Sequence, residues 1–462
     1  MFNKEIYINR RRQLRTRIQQ GIVVLLSNNE ASMNYPSNTY RYRQDSSFNY
    51  FYGLQLPGLV GVIDLEEDKE ILFGDDYTME DIIWMGNQPT IAELGEKCGI
   101  SHVQNANALF TYIQNALSKN RKVHFLPPYR TDNQLFLHKL TGIAIDDVKA
   151  NASVELIKAI VALRSFKQPE EIIEMDFICD TGYNMQVAAI CNCIPRRRER
   201  KLAGIIEGIA LSEGNGVSFP VILSQNGETL HNHNHDQILK KGRLLLIDAG
   251  AESDSGYASD YTRTIPVSGV FTVKQQEIYS IVLEANMDSI NMAKPGLRYF
   301  DVHLNATTII AKGLTELGLM KGNPADAAKE GAHALFMPHG LGHMLGLDVH
   351  DMEDFGEDYV GYDEHTKRST IFGHASLRFG RELQPGFIVT VEPGIYFIPQ
   401  LIEQWEKEKK FTNYINYSKV KEYIGFGGIR IEDDILITEK ACRILGNPLP
   451  KKDYEIENLM YK

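Results

Sequence analysis

Four carboxylates and one imidazole in the C-terminal half are the side chains of this sequence best suited to chemistry: Asp248, Asp260, His343, Glu392 and Glu432. Each closes or borders a short β-type run. An oxygen-rich set suits two adjacent divalent cations of the manganese, cobalt or zinc type, whereas a single structural zinc favours Cys and His. Two cations sharing carboxylates can hold a hydroxide at neutral pH, so the set points to hydrolysis.

The elements that must carry these groups are short. Arg243-Leu-Leu-Leu-Ile-Asp248 reads as a buried strand ending in a carboxylate, and Asp260-Tyr-Thr-Arg-Thr-Ile-Pro266 as a second extended run. The turn-rich stretch between them allows a hairpin with both acids on one side. A single Asp is more often a cap or loop residue. One that closes an apolar run is harder to dismiss, because an unpaired buried carboxylate costs several kcal/mol. Pro338 to Asp351 packs His339, His343 and His350 among glycines, in a chain with 13 histidines in all. Gly340, Gly342 and Gly346 argue against a regular helix and for close backbone approach. His231-Asn-His-Asn-His-Asp236 reads first as an exposed polar loop. Gln384 to Tyr396 is a strand between two Pro-Gly turns, with Ile388, Thr390 and Glu392 on one face. Gly427 to Asp434 reads as a strand on which Arg430 and Glu432 share a face, and a buried acid there needs a partner.

At 462 residues the chain is long for one core, and two domains are expected. Hydrophobic content of 43% and charged content of 24% are those of an ordinary globular protein. The net charge of −11 argues against nucleic acid as the main partner. The basic run Arg196 to Lys201 reads as a solvated helix face. No apolar leader opens the chain and no stretch approaches a membrane span, so neither secretion nor membrane insertion is expected. The five scattered cysteines read as reduced, structural thiols in a cytoplasmic protein.

The first half alternates strand-like segments (21–26, 59–64, 70–73, 122–126) with helical ones (90–98, 106–117), and holds no catalytic-looking cluster. It is expected to shape a pocket or an oligomer interface. Ser153 to Leu163 is strongly helical, and Pro169 opens another helix. The boundary is therefore set at 160/161, giving domains 1–160 and 161–462. Two long helical zones, 168–212 and 274–319, follow.

The segments LLLIDAG, YASDYTRT, PHGLGHMLGLDVHD, TVEPGIYF and GGIRIEDD, in this order, resemble the five ligand motifs of the proline-specific M24B metallopeptidases, the aminopeptidase P and prolidase group. RYRQDSSFNYFYGLQLPGLVGVIDL is similar to the group's N-terminal domain. The resemblance implies an α+β protein: a C-terminal pita-bread catalytic domain behind a smaller N-terminal α/β domain. It implies that Asp248 binds one metal, that Asp260 and Glu432 bridge both, and that His343 and Glu392 complete the second sphere. Manganese is the group's usual metal, with cobalt and zinc as alternatives. A hydroxide held between the metals would attack the carbonyl before proline, with Glu392 shuttling the proton. His339 and His350 match histidines that contact substrate and stabilise the tetrahedral intermediate. His231 matches a substrate-pocket histidine, and Arg430 an arginine supporting the site. The implied partner is a proline-containing peptide, and the enzyme a homo-oligomer, dimer or tetramer.

Three positions depart from the pattern. The loop between Asp248 and Asp260 is one residue longer than in many members. Phe219 stands where many have Tyr. An inserted stretch from roughly 398 to 424, with Arg378 in SLRFGRELQPG, looks more like the dipeptide-cleaving prolidases; a cation there could hold a dipeptide's C-terminal carboxylate. Aminopeptidase activity on longer peptides is placed ahead of prolidase activity. A metal-free creatinase-like enzyme and a non-catalytic pita-bread binding module are the remote alternatives, disfavoured by the intact ligand set.

Overall fold

The computed structural model describes residues 1–461. Its contacts divide the chain into two compact units: Met1–Arg164 together with Glu353–Tyr359, and Ser165–Met352 with the chain from Val360 onward. Among the described residues, no helix is long and apolar enough to cross a membrane.

The first unit is built on five strands, β1 (Ile22–Leu26), β2 (Val60–Asp64), β3 (Lys69–Phe73), β4 (His102–Gln104) and β5 (Val123–His124). Their order is β4-β3-β2-β1-β5. β2 is antiparallel to both β1 and β3, while the edge strands β4 and β5 run parallel to their neighbours. Helix α1 (Ile91–Cys98) begins with a capping box between Thr90 and Glu93, the signal that places its start. Helix α2 (Ala108–Ser118) buries Leu109, Ile113 and Ala116 against Ile22, Val24, Val62 and Ile71. Each buried Leu, Ile or Val among these contributes about 1.5–3 kcal/mol. Helix α3 (Val154–Arg164) closes the first run of this unit.

The second unit opens with α4 (Pro169–Asn192), whose Pro sits in the first turn, and α5 (Glu199–Glu213). Strands β6 (Ile222–Ser224), β7 (Leu244–Ala249) and β8 (Tyr261–Pro266) form a sheet in the order β8-β7-β6. Then come α6 (Val273–Met292) and α7 (Tyr299–Glu316). Each long helical zone of the sequence is thus a pair of helices, broken at Pro195 and at Pro295-Gly296, because proline removes a donor and blocks the preceding turn. The chain continues through β9 (Ile388–Val391), β10 (Gly394–Tyr396), α8 (Pro399–Lys407), α9 (Tyr417–Lys421), β11 (Gly428–Arg430), β12 (Asp433–Ile437) and β13 (Cys442–Ile444). The stretch expected as an insert therefore carries two helices. The run Gly427 to Asp434, expected as one strand, is two. β11 pairs with β10, β12 pairs with β9 and β13, and Ile431-Glu432 is the crossover between two sheets. The basic run Arg196 to Lys201 is mostly exposed, at the entry to α5.

Candidate metal centre

Alternation along the β7–β8 hairpin sorts its side chains. Leu245, Ile247 and Ile265 join the core with Ile178 and Met185 of α4 and Leu202 and Ile206 of α5. The opposite face carries Leu246, packed with Ile222 and Tyr396, and then Asp248. Thr262 lies across from Asp248, and Asp260 precedes β8 by one residue, two before Thr262. The Asp260 backbone N–H donates to Asp434 Oδ2 at 2.9 Å, which fixes where its carboxylate emerges.

The histidine segment is irregular coil laid along β9. His343 N–H donates to Thr390 Oγ1 (3.2 Å), Thr390 N–H to the His343 carbonyl (3.0 Å) and Glu392 N–H to the Leu341 carbonyl (2.8 Å). The glycines permit this. A Cβ on Gly342 would stand 2.1 Å from the Thr390 carbonyl oxygen, and one on Gly340 2.6 Å from Leu377 Cα. His343 Nδ1–H donates to the Met344 carbonyl at 3.0 Å, which turns the Nε2 lone pair toward Asp260 Oδ2 (3.5 Å) and Glu392 Oε1 (3.7 Å).

The sheet crossover delivers the last acid. Thr262 Oγ1 donates to Glu432 Oε2 at 2.6 Å and accepts from Arg430 Nε at 3.1 Å. Arg430 also donates to Tyr396 Oη (2.8 Å) and pairs with Asp248. On the other side of the crossover, Asp433 meets Arg263 (2.6 Å) and Lys451 (2.7 Å). Burial pushes its carboxyl up, but these two cations outweigh that and bring it down to about 2. Arg263 also donates to the Glu432 carbonyl at 2.7 Å, bracing the Glu432 segment from behind.

The acids at the centre behave in the opposite way. Burial, then the charges of Asp248, Asp434 and Glu392, push Asp260 well above the ordinary carboxylate range. Burial and Asp260 do the same to Glu432. Burial raises Glu392 too, against the lowering influence of His343 and Arg430. Asp248 Oδ1 and Asp260 Oδ1 are buried with no hydrogen-bond partner. Donor atoms of Asp260, His343 and Glu432 lie within 4.8 Å of one another. Buried carboxylates that repel one another, two orphaned oxygens and an imidazole lone pair facing acids together fit divalent cations.

All ten residues singled out in the sequence line one cavity of about 590 Å³: the five above with His231, His339, His350, Arg378 and Arg430. His350 packs edge-on against His343, ring centroids 4.2 Å apart. Both nitrogens of His339 are engaged, Nδ1–H with the Gly340 carbonyl (2.7 Å) and Nε2 with Tyr396 Oη (3.0 Å). Burial, with Arg430 nearby, pushes His339 down to about 3. To touch a substrate it must exchange one of these contacts. Phe219 is on the wall, as is His233, so the His231–Asp236 loop is partly cavity lining rather than solvated throughout. Sequence reasoning missed Tyr396, Thr262 and Asp434. Thr262 and Asp434 each stand two residues beyond a named acid, so alternation was the available signal for them, whereas Tyr396 lies on a separate strand, β10.

Comparison with known proteins gives the family and the fold. Residues 175–439 match the model of metallopeptidase family M24, and residues 7–125 that of the aminopeptidase P N-terminal domain. The chain is 30% identical over 453 residues to an Xaa-Pro dipeptidase of Homo sapiens, covering 96% of this chain and 89% of that protein. It is 31% identical over 432 residues to a probable Xaa-Pro aminopeptidase of Aspergillus clavatus, covering 90% and 88%. A zinc-substituted Escherichia coli aminopeptidase P in complex with product superposes with a TM-score of 0.80 at 29% identity, covering 100% of this chain and 98% of that one. The chain has the two-domain aminopeptidase P fold with a pita-bread C-terminal domain, and it belongs to the metallopeptidase family M24.

Proposed function

We propose that this protein is an Xaa-Pro peptidase that releases the N-terminal residue from peptides with proline in second place. Asp248, Asp260, His343, Glu392 and Glu432 would hold two divalent cations, manganese the favoured pair. Bound there, the cations supply Lewis acidity and lower the pKa of water. The protein's own groups do the rest. Glu392, raised in pKa and with its side chain partly exposed to the cavity, accepts a proton and returns it to the departing proline nitrogen. Thr262 and Arg430 orient the acids. His231, His339 and His350 contact the peptide, and proline's locked ring fits a site that requires no N–H from that residue. The single observation behind this reading is the pair of orphaned carboxylate oxygens among like-charged buried acids on a cavity wall. Free cysteines support a cytoplasmic location. The exposed apolar side chains of Met79, Ile83 and Trp84 support a homo-oligomer, dimer or tetramer.

Arg378 favours a second reading, cleavage of Xaa-Pro dipeptides. It lines the same cavity and lowers the Glu392 pKa electrostatically. Assays with added Mn²⁺ on an Xaa-Pro dipeptide and an Xaa-Pro-Xaa tripeptide separate the two. Faster tripeptide cleavage supports the aminopeptidase. A dipeptide preference that Arg378→Ala abolishes through KM supports the prolidase. No cleavage of either, with Mn²⁺ bound, overturns both.

A further inference from the structure

A second group of three buried histidines, outside the cavity lining, has the form of a site. His303 projects from α7, His333 from the 3₁₀ turn Ala332–Leu335 and His374 from the coil that leads to Arg378. Their relative exposures are 0%, 0% and 2%. Ring centroids are 4.7 Å apart for His333 and His374 and 5.1 Å for His303 and His374. One nitrogen from each falls within 4.8 Å of the others.

Hydrogen bonds fix the tautomers. The Ala328 carbonyl can only accept, and it receives both His374 Nε2–H (2.9 Å) and His333 Nδ1–H (3.1 Å). The bare nitrogens are then His374 Nδ1 and His333 Nε2. His303 Nε2 faces His374 Nδ1 at 3.0 Å and supplies the hydrogen between them. His333 Nε2 is buried with no partner, and so is His303 Nδ1. A carbonyl holding the far N–H of two imidazoles is the outer support that metal-binding histidines use. Of the two orphaned nitrogens, His333 Nε2 is the one aimed at the other rings, and an orphaned buried nitrogen there calls for a missing partner. Gly373, at φ +91°, lets the coil pass close: a Cβ there would stand 2.6 Å from Ala334 Cβ and 3.2 Å from His333 Nε2.

We propose that His303, His333 and His374 form a separate binding site for one borderline transition-metal ion, zinc above all, through His303 Nε2, His333 Nε2 and His374 Nδ1. When the ion enters, His303 moves its ring proton from Nε2 to Nδ1, so no net proton is released. Imidazole-only ligation suits Zn²⁺, Co²⁺, Ni²⁺ or copper and not Mn²⁺, which the carboxylate centre can take. Tetrahedral zinc with bonds of ~2.0 Å separates its nitrogens by roughly 3.3 Å, close to the 3.0 Å between His303 Nε2 and His374 Nδ1. The ion would tie α7 to two segments of the cavity wall. His333 lies six residues before His339, and His374 four before Arg378. The site is thus a positioning clamp, and its existence does not depend on the peptidase reading.

The test uses the full chain with the carboxylate centre disabled by Asp260→Asn and Glu432→Gln, stripped with chelator and titrated with Zn²⁺ alone. Metal analysis after desalting should find one equivalent of zinc, with a rise in the thermal midpoint. Adding His333→Gln should reduce zinc to none while circular dichroism stays unchanged. X-ray absorption on the zinc-loaded double variant, whose triad is untouched, should show three imidazole nitrogens near ~2.0 Å. No zinc in the folded double variant, unchanged zinc after His333→Gln, or an oxygen-only shell would each overturn the proposal.

Discussion

Asp64 ends β2 in the first unit and Asp248 stands one residue before the end of β7 in the second, after the similar runs Gly-Val-Ile and Leu-Leu-Ile, and both are buried. Their surroundings separate them. Asp64 accepts from Tyr112 (2.6 Å), from Arg121 (3.0 Å) and from the Glu67 backbone N–H (2.9 Å). Burial pushes Asp64 up, yet the hydrogen bonds from Arg121, Tyr112 and Glu67 leave it below the ordinary range. Asp248 has one arginine, one orphaned oxygen and three more acids as neighbours. An aspartate that follows such a run is a common local pattern. What marks a cation site is the deficit of donors around it.

The largest test of that contrast is removal of an acid from each side. Asp260→Ala should cut kcat/KM on an Xaa-Pro peptide by roughly a thousandfold, the loss of several kcal/mol of metal-borne stabilisation, and lower bound metal. Asp64→Asn should leave turnover nearly intact; a comparable loss there would break the comparison. Next, Arg121→Ala strands a buried carboxylate and should cost about 3 kcal/mol in urea unfolding, with metal content unchanged. Replacing both partners by apolar residues should recover most of it. Thr262→Val removes a hydroxyl that orients Glu432 and should lower metal affinity or activity about 10–100-fold, checked by competition with a chelator.

The smallest effect is in pH, where the signs are opposite. Asp64 has a depressed pKa, so its contribution is present above the ordinary carboxylate range and is lost as pH falls through the depressed value. Asp260 and Glu432 are raised. In chelator-stripped protein their protonated forms support the fold at acid pH, and that support is lost as pH rises through the raised values. Unfolding followed against pH, with Asp64→Asn as the reference for the first slope and Mn²⁺ addition as the means of abolishing the second, should show both. Parallel slopes would contradict the assignment.

Eight of the ten cavity residues were legible because they sit in five short runs that recur in a known order; His231 and Arg378 lie outside those runs and were reached through the resemblance. Thr262 was within reach by counting two from Asp260, while Tyr396 lies on β10, in a different sheet from β9. The break at Ile431-Glu432 was out of reach, since Arg-Ile-Glu-Asp-Asp alternates smoothly and only the pairing of β11 and β12 with different sheets reveals it. The segment Glu353–Tyr359 belongs with the first unit through contacts that no local pattern encodes. Histidines 303, 333 and 374 are separated by 30 residues or more, so nothing local joins them.

That crossover has a consequence for refolding. Glu432 and Asp433 are adjacent carboxylates sent to opposite destinations, one beside unpaired acids and one to Arg263 and Lys451. A slip of β12 by one position that brought Asp433 to the place of Glu432 would bring Asp434 to the place of Asp433, and it would also turn Ile435 and Ile437 from one face to the other. The misregistered form would still match charge with charge locally. The Asp260 N–H would lose its Asp434 acceptor and the aliphatic side chains their buried positions, so a polar anchor and apolar packing together hold the register of an electrostatic site.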